Sequence, residues 1–251
     1  MGEPFFSVVV PCLNEEYWLP RLVEGLARQT DRDFEVIVVD GGSTDATEVK
    51  VRAFGFRVPS FQWMNAPRGV SIQKNIGAKR ATGKYLLFFD ADVLPEDRFI
   101  EMMKHRVTRS GVTMATVWNR ADCSHVACNF VTSFISVGMV LFQKIKPGAV
   151  GVCIVVQRKF FLTIGGFNEA VLDGEDWELT SRTVRLGATF KVFRRPRLWV
   201  SARRVEKEGL WNMTRWFVKF ALLMLMQGAI KKKVFEYNMG GHEFMDQRPP
   251  K

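Results

Sequence analysis

Cysteine is scarce in this chain: its 251 residues hold four, Cys12, Cys123, Cys128 and Cys153, without the paired spacing of a zinc site or the density of a disulfide framework. No secretory signal opens it, because charge arrives before any apolar run is long enough. Both absences predict a reducing, cytosolic location. After the first apolar run the sequence reads Pro11-Cys12-Leu13-Asn14, so the glycine-rich phosphate loop that a nucleotidyltransferase would want there is missing. An uninterrupted membrane span is also lacking. The most apolar stretch, Leu210 to Ile230, carries Arg215 and Lys219 inside it, whereas a span takes about 20 apolar residues.

What is present suits a globular protein. A hydrophobic share of 47% with 25% charged residues is ordinary for a folded core, and the length fits one α/β domain or one and a half small ones. The net charge of +10 points to an anionic partner: nucleic acid, a membrane surface or an anionic substrate.

The first half alternates strand and helix. Phe5 to Cys12 is a β-branched apolar run, and Leu19, Leu22, Val23 and Leu26 follow at helical spacing. Phe34 to Val39 is a second strand, ending in Asp40-Gly41-Gly42-Ser43-Thr44-Asp45, a tight turn leading to a helix start with Asp45 as the cap. Phe56 to Met64 reads as a third strand, Val70 to Ala81 as a helix and Tyr85 to Phe89 as a fourth strand. Near-continuous apolar strands separated by helices predict a mostly parallel sheet covered on both faces.

Ligands of such sheets sit outside the carboxyl ends of the strands. Three of the four strands end there in acids or amides: Asn14 and Glu15, then Asp40, then Asp90 and Asp92. Singly, each reads as a turn or cap residue. Together they form one acidic edge. A carboxylate pair at i and i+2, where a buried strand opens into a loop, holds a hard divalent cation and leaves its other positions to water and a diphosphate.

The blocks VVVPCLNEE, VIVVDGGSTDAT, GVSIQKNIGAKRATGKYLLFFDADV and IGGFNEAVLDGEDWELTSRTVRLG, in that order, resemble the family 2 nucleotide-sugar glycosyltransferases of the GT-A fold. The resemblance runs from Ser7 to Ala202. It implies a GT-A, Rossmann-like sheet and transfer of a sugar from a nucleotide diphosphate with inversion, assisted by Mg²⁺ or Mn²⁺. Pro11, Asn14 and Glu15 fall in the nucleoside pocket by this resemblance, and Asp40 matches the acid that binds the base. A carboxylate accepts equally from uracil or guanine N–H groups, so UDP and GDP both remain open. Arg68 and Asn75 are candidates for the donor's phosphates or sugar, while Lys74 and Lys79 read equally well as solvated surface charge. Asp92 matches the metal ligand, and Asp90 a contact to ribose or sugar hydroxyls or to the metal through water.

Downstream, Glu175 and Asp176 open a helix that directs Leu179, Val184 and Leu186 inward. Acids in a first helical turn are common for electrostatic reasons alone. By the resemblance, Asp176 is the general base, Glu175 holds the site or touches the acceptor, and Trp177 stacks on a sugar face or packs. The chain departs from the family in its histidines: none of His105, His125 and His242 falls where relatives supply one to the metal, which leaves the third ligand open. Arg203 and Arg204, after an expected strand from Arg197 to Ala202, are placed to clamp the diphosphate. The processive QxxRW signature is absent, since Trp211 precedes Arg215-Trp216, and single-sugar transfer is expected. Val126 to Phe142 falls where relatives bind the acceptor.

The expected organisation is a GT-A domain over residues 1–205, with a nucleotide-binding half (1–93) and an acceptor half (94–205), followed by an apolar and basic segment (206–251). Leu210 to Ile230, with Lys231-Lys232-Lys233 behind it, reads as a C-terminal amphipathic helix at an anionic membrane surface, or as a domain-covering helix or homodimer interface. The function expected is a metal-dependent, inverting transfer of one sugar to a glycan or lipid-linked hydroxyl, in the cytoplasm or peripherally on the cytoplasmic membrane face. The alternatives are a nucleotidyltransferase, which the missing loop disfavours, and a basic nucleic-acid-binding module. The latter leaves three acidic strand ends unexplained, because they repel phosphate unless a cation intervenes, so nucleic acid is not an expected partner.

Overall fold

Every residue of the first strand, β1 (Phe6–Cys12), is buried, and its alternation builds both faces of the core. Val8 and Val10 belong to one apolar cluster and Val9 to the other, as the period of two requires. The computed structural model describes residues 2–122, 152–171, 173–201, 203 and 215. In chain order these form β1, α1 (Leu19–Ala27), β2 (Phe34–Asp40), α2 (Thr47–Gly55), β3 (Phe61–Asn65), α3 (Val70–Arg80), β4 (Tyr85–Phe89), β5 (Val93–Pro95), α4 (Phe99–Ser110), β6 (Met114–Asp122), β7 (Cys153–Gln157), α5 (Arg158–Thr163), α6 (Glu175–Arg185) and β8 (Phe190–Ser201).

One sheet of eight strands runs in the order β3-β2-β1-β4-β7-β6-β8-β5. The half that carries β3, β2, β1 and β4 is parallel. Strand β7 pairs antiparallel with both β4 and β6, β8 runs parallel to β6, and β5 closes the edge antiparallel to β8. The mostly parallel α/β sheet is therefore as expected. Helices cover both faces. Leu19, Leu22, Val23 and Leu26 of α1 pack with Phe99, Met103 and Val107 of α4 in one cluster. Ala78 of α3, Phe161 of α5 and Leu179 of α6 lie in the other. Fully burying each such Leu, Val or Phe stabilises the fold by about 1.5–3 kcal/mol before chain entropy is counted.

Parallel register puts the ends of β1, β2 and β4 on one edge: Cys12 pairs with Asp40, and Val9 with Phe88. The residues that follow, Leu13 to Glu15, Gly41 to Asp45 and Asp90 to Asp92, emerge together.

Three sequence expectations need correction. The third strand starts at Phe61, not Phe56; Phe56 follows the end of α2 and is 82% exposed. β8 begins at Phe190, well before Arg197, because pairing with β6 extends it. On α6 the inward residues are Leu179, Thr180 and Thr183, while Leu186 lies past the helix end and is exposed. The stretch Leu210 to Ile230, expected as a helix, lies outside the described residues except for Arg215, and so does Val126 to Phe142, expected to meet the acceptor. Among the described residues, no helix is long and apolar enough to cross a membrane.

Candidate active site

The first two strand-end loops are knitted to one another. Asn14 takes a left-handed conformation, φ 53°, which Asn tolerates better than most residues. This points its amide N–H at Ser43 Oγ (2.8 Å), while its Oδ1 accepts from Thr44 N (2.8 Å). Ser43 in turn donates its N–H and hydroxyl to Asp40, and the Cys12 thiol donates to the same carboxylate at 3.6 Å. Asp45 accepts from the Thr47 amide at 3.0 Å, but the N-cap of α2 is Ala46, so the acid expected as the cap stands one residue ahead of it. Pro11 is buried in β1 opposite Val39. Asn14 and Asp40 are thus fixed in place by their neighbours, at the edge where the family resemblance puts the nucleoside.

Glu15 has a different partner. Arg203, just past β8, donates to both of its oxygens at 2.9 and 3.0 Å and reaches Asp92 Oδ2 at 3.2 Å. Burial pushes the Glu15 carboxyl up to about 7; Arg203 opposes the shift, and Asp92 and Asp90 add to it. Arg204 lies outside the described residues, and Arg68 is exposed in the loop before α3.

Helix α3 starts under this edge, tethered by Gln73. The Gln73 amide donates to Cys12 O (2.9 Å) and Val39 O (2.7 Å), and its oxygen accepts from Gly69 N (3.3 Å). The next residue corrects an expectation: Lys74 is buried, not solvated surface, with its side chain 1% exposed. Its Nζ lies 3.3 Å from Asp176 Oδ1, 3.5 Å from Glu175 Oε1 and 3.9 Å from Asp90 Oδ1, and 5.1 Å from the Phe167 ring centre. Burial alone would lower the lysine, but Asp176, Glu175 and Asp90 together hold it above its ordinary range, so it stays charged. Lys79, a turn further on, is exposed.

Asn75 is committed to the loop that precedes α6. Its Nδ2 donates to Phe167 O (3.0 Å) and Glu169 Oε1 (2.8 Å), and its Oδ1 accepts from Phe167 N (2.8 Å). The turn beneath needs glycine: Gly165 and Gly166 have φ of 82° and 73°, and a Cβ on Gly166 would sit 2.5 Å from Asn75 Oδ1. Gly174, also left-handed, then starts α6, whose first turn holds Glu175, Asp176 and Glu178. Glu178 turns away to Arg182 at 2.8 Å, leaving Glu175 and Asp176 to face Lys74. Burial, then Glu175, drive the Asp176 carboxyl up, with Lys74 opposing and Asp90 adding. Trp177 is half-buried on the same turn.

Five carboxylates, Glu15, Asp90, Asp92, Glu175 and Asp176, therefore face two cations, Lys74 and Arg203. No cluster of three or more His, Cys, Asp or Glu suited to a metal occurs among the described residues. The donor set nonetheless fits a hard divalent cation: two strand-end carboxylates, Asp90 and Asp92, 35% and 16% exposed, in a field with unbalanced negative charge. Mg²⁺ is commonly held by one or two carboxylates plus phosphate oxygens.

One signal in the sequence does point to a buried Lys74. Ser71, Lys74, Asn75 and Ala78 share one helical stripe, and a lysine between small residues on the face that covers a sheet is buried with it.

The sequence model of Glycosyl transferase family 2 matches residues 7–161. A PGL/p-HBAD biosynthesis glycosyltransferase of Mycobacterium tuberculosis is 41% identical over 96 residues, 37% of each chain, so the alignment spans little more than a third of that relative. Among solved structures, the mannosyltransferase PcManGT from Pyrobaculum calidifontis in complex with GDP-Man and Mn²⁺ superposes with a TM-score of 0.67 at 22% identity, over 79% of this chain and 57% of that one. S. aureus TarS 1–349 in complex with UDP gives 0.63 at 20% identity, over 78% and 60%. At these identities the structural likeness establishes the fold.

Proposed function

The chain belongs to glycosyl transferase family 2, and from that membership we propose that it moves a single sugar, with inversion, from a UDP- or GDP-sugar to a hydroxyl of a glycan or lipid-linked acceptor. One observation carries the reading. Asp90, at the strand edge where the donor's diphosphate would lie, and Asp176, at the start of α6, approach the same amine from two segments of the chain.

Asp92 and Asp90 would hold Mg²⁺ or Mn²⁺, which when bound supplies Lewis-acid neutralisation of the departing nucleoside diphosphate. Likeness in fold to the mannosyltransferase PcManGT, solved in complex with GDP-Man and Mn²⁺, supports this choice. Asp176 takes the acceptor's proton as its oxygen attacks the anomeric carbon; a carboxyl raised by burial suits that work, because its basicity lies nearer the working pH. Glu175 and Trp177 flank the acceptor, and Asn14, Glu15 and Asp40 line the nucleoside side. Arg203, with Arg68 from the opposite loop, supplies positive charge to the diphosphate. One displacement across two faces gives inversion.

The domain spans residues 1–205, and the sequence from Leu210 to Lys233, aromatic, apolar and then basic, suits reversible contact with anionic headgroups. Sedimentation with anionic liposomes at low salt tests that contact. The donor reading is tested by thermal shift with UDP, GDP and their sugars, with and without Mn²⁺. A ligand at about 100 times its dissociation constant adds about 2.7 kcal/mol, and the upward shift should need the metal. No shift with any nucleotide diphosphate would overturn it.

A further inference from the structure

We propose that Lys74 is a positioning residue for the transfer: its ammonium holds Asp176 and Glu175, at the start of α6, in register with Asp90 at the end of β4. The inference rests on the reading of Asp176 as the base and goes beyond it.

Lys74 is too deeply placed to act on a ligand itself. With a side chain 1% exposed beneath carboxylates that are 14–35% exposed, it meets the site's contents through them. A lysine gives up its hydration only where anions replace it, and here three do. Its surroundings are built to keep it there. The Phe167 ring flanks the amine at 5.1 Å, and the backbone of Phe167 is pinned on both sides by the amide of Asn75, the next residue of α3. Gly77, one turn on, lets α3 lie against the sheet where a Cβ would meet Val9 Cγ1 at 2.4 Å. The same helix therefore fixes the amine, the wall beside it and the height at which both sit.

The two groups it joins have opposed tasks. Asp90 belongs to the donor edge and Asp176 to the acceptor face, and as like charges they repel. A cation between them keeps both near the reacting atoms, while the geometry of Asp176 relative to the incoming hydroxyl is set by a neighbour that touches neither substrate. An error of about 1 Å in such placement can cost about 100-fold in rate.

The test is a double-mutant cycle, with transfer kcat measured beside the calorimetric Kd for a nucleoside diphosphate with Mn²⁺. Lys74→Met should lower kcat by about 100-fold and leave Kd within about threefold, with partial recovery in Lys74→Arg, whose fork reaches the same carboxylates. In an Asp176→Asn background, Lys74→Met should cost less than about threefold more, because its effect passes through Asp176. A parental kcat in Lys74→Met, a loss of donor affinity matching the loss of rate, or a full additional loss in the Asp176→Asn background would each overturn the role. Should Lys74→Met fail to fold, the double variant Lys74→Met/Asp176→Asn, which removes an anion along with the cation, and Lys74→Arg carry the same comparisons. Parental transfer by Asp176→Asn alone would instead remove the base itself, and is told apart from the other outcomes by needing no change at Lys74.

Discussion

The guanidinium of Arg203 grips both carboxylate oxygens of Glu15 at 2.9 and 3.0 Å, across 188 positions of sequence, and so ties the exit of the last strand to the exit of the first. Its third contact, to Asp92 at 3.2 Å, brings the strand-end acid of β4 into the same bridge. Glu15 is nonetheless held at about 7 against an ordinary value of 4.5, because desolvation outweighs the arginine.

A pH dependence of stability follows. A carboxyl raised in the fold binds a proton that the unfolded chain has already released, so its stabilising share is full at low pH and is lost as pH rises towards the folded value. Glu15 alone should cost on the order of 3 kcal/mol between about pH 4.5 and 7, and Asp176 acts in the same direction. Asp33 and Glu101, whose carboxyls are lowered, are ionised in both states above about pH 5, so they add no slope there. Urea midpoints should fall from pH 5 to 8, with a shallower slope in Glu15→Gln. A midpoint that rises over this window contradicts the assignment.

Metal binding can be separated from nucleotide binding. Asp92→Asn should remove the gain in nucleoside diphosphate affinity that Mn²⁺ brings, while affinity without metal and the cooperative unfolding transition persist. Calorimetric titration with and without Mn²⁺ reads both; an identical metal response in variant and parent would mean that Asp92 is not a ligand.

The base should show itself in the rate profile. With the Asp176 carboxyl driven up by burial and then by Glu175, the ionised, proton-accepting form grows as pH rises, so kcat/KM, which reports the free enzyme, should climb with pH and then level off. Asp176→Asn should lower turnover by about 10² to 10⁴ and flatten the profile. A parental profile that falls across pH 6–8 would exclude a carboxylate base.

Gly77→Ala tests the seat of α3. Alanine is the better helix former by about 1 kcal/mol, but its Cβ would meet Val9 Cγ1 at 2.4 Å and Val39 Cγ2 at 3.1 Å, and overpacking costs about 1–3 kcal/mol. A net loss of up to about 2 kcal/mol is expected in chemical denaturation, together with slower transfer as Lys74 shifts. Stabilisation would show that the helix has room to move.

The alternation of strand and helix, the strand that ends at Asp90 and Asp92, and the start of α6 at Glu175 are legible in sequence because each depends on neighbours a few residues away: apolar period, turn residues and the first helical turn. Parallel pairing then places strand ends on one edge as a matter of topology, so the acidic edge is legible in the sequence. The environment of each charge could not. Lys74 meets Asp176 across 102 positions and Glu15 meets Arg203 across 188, and nothing within a turn of either residue states whether water or a carboxylate will surround it. The late start of β3 was hidden for a similar reason, since Phe56 is apolar in sequence but lies where no strand runs to receive it. Sequence alone thus determined which residues stand at the sheet's carboxyl edge; the tertiary fold decided which of them are buried, paired and raised in pKa, because desolvation and Coulomb energy depend on distance in space rather than along the chain.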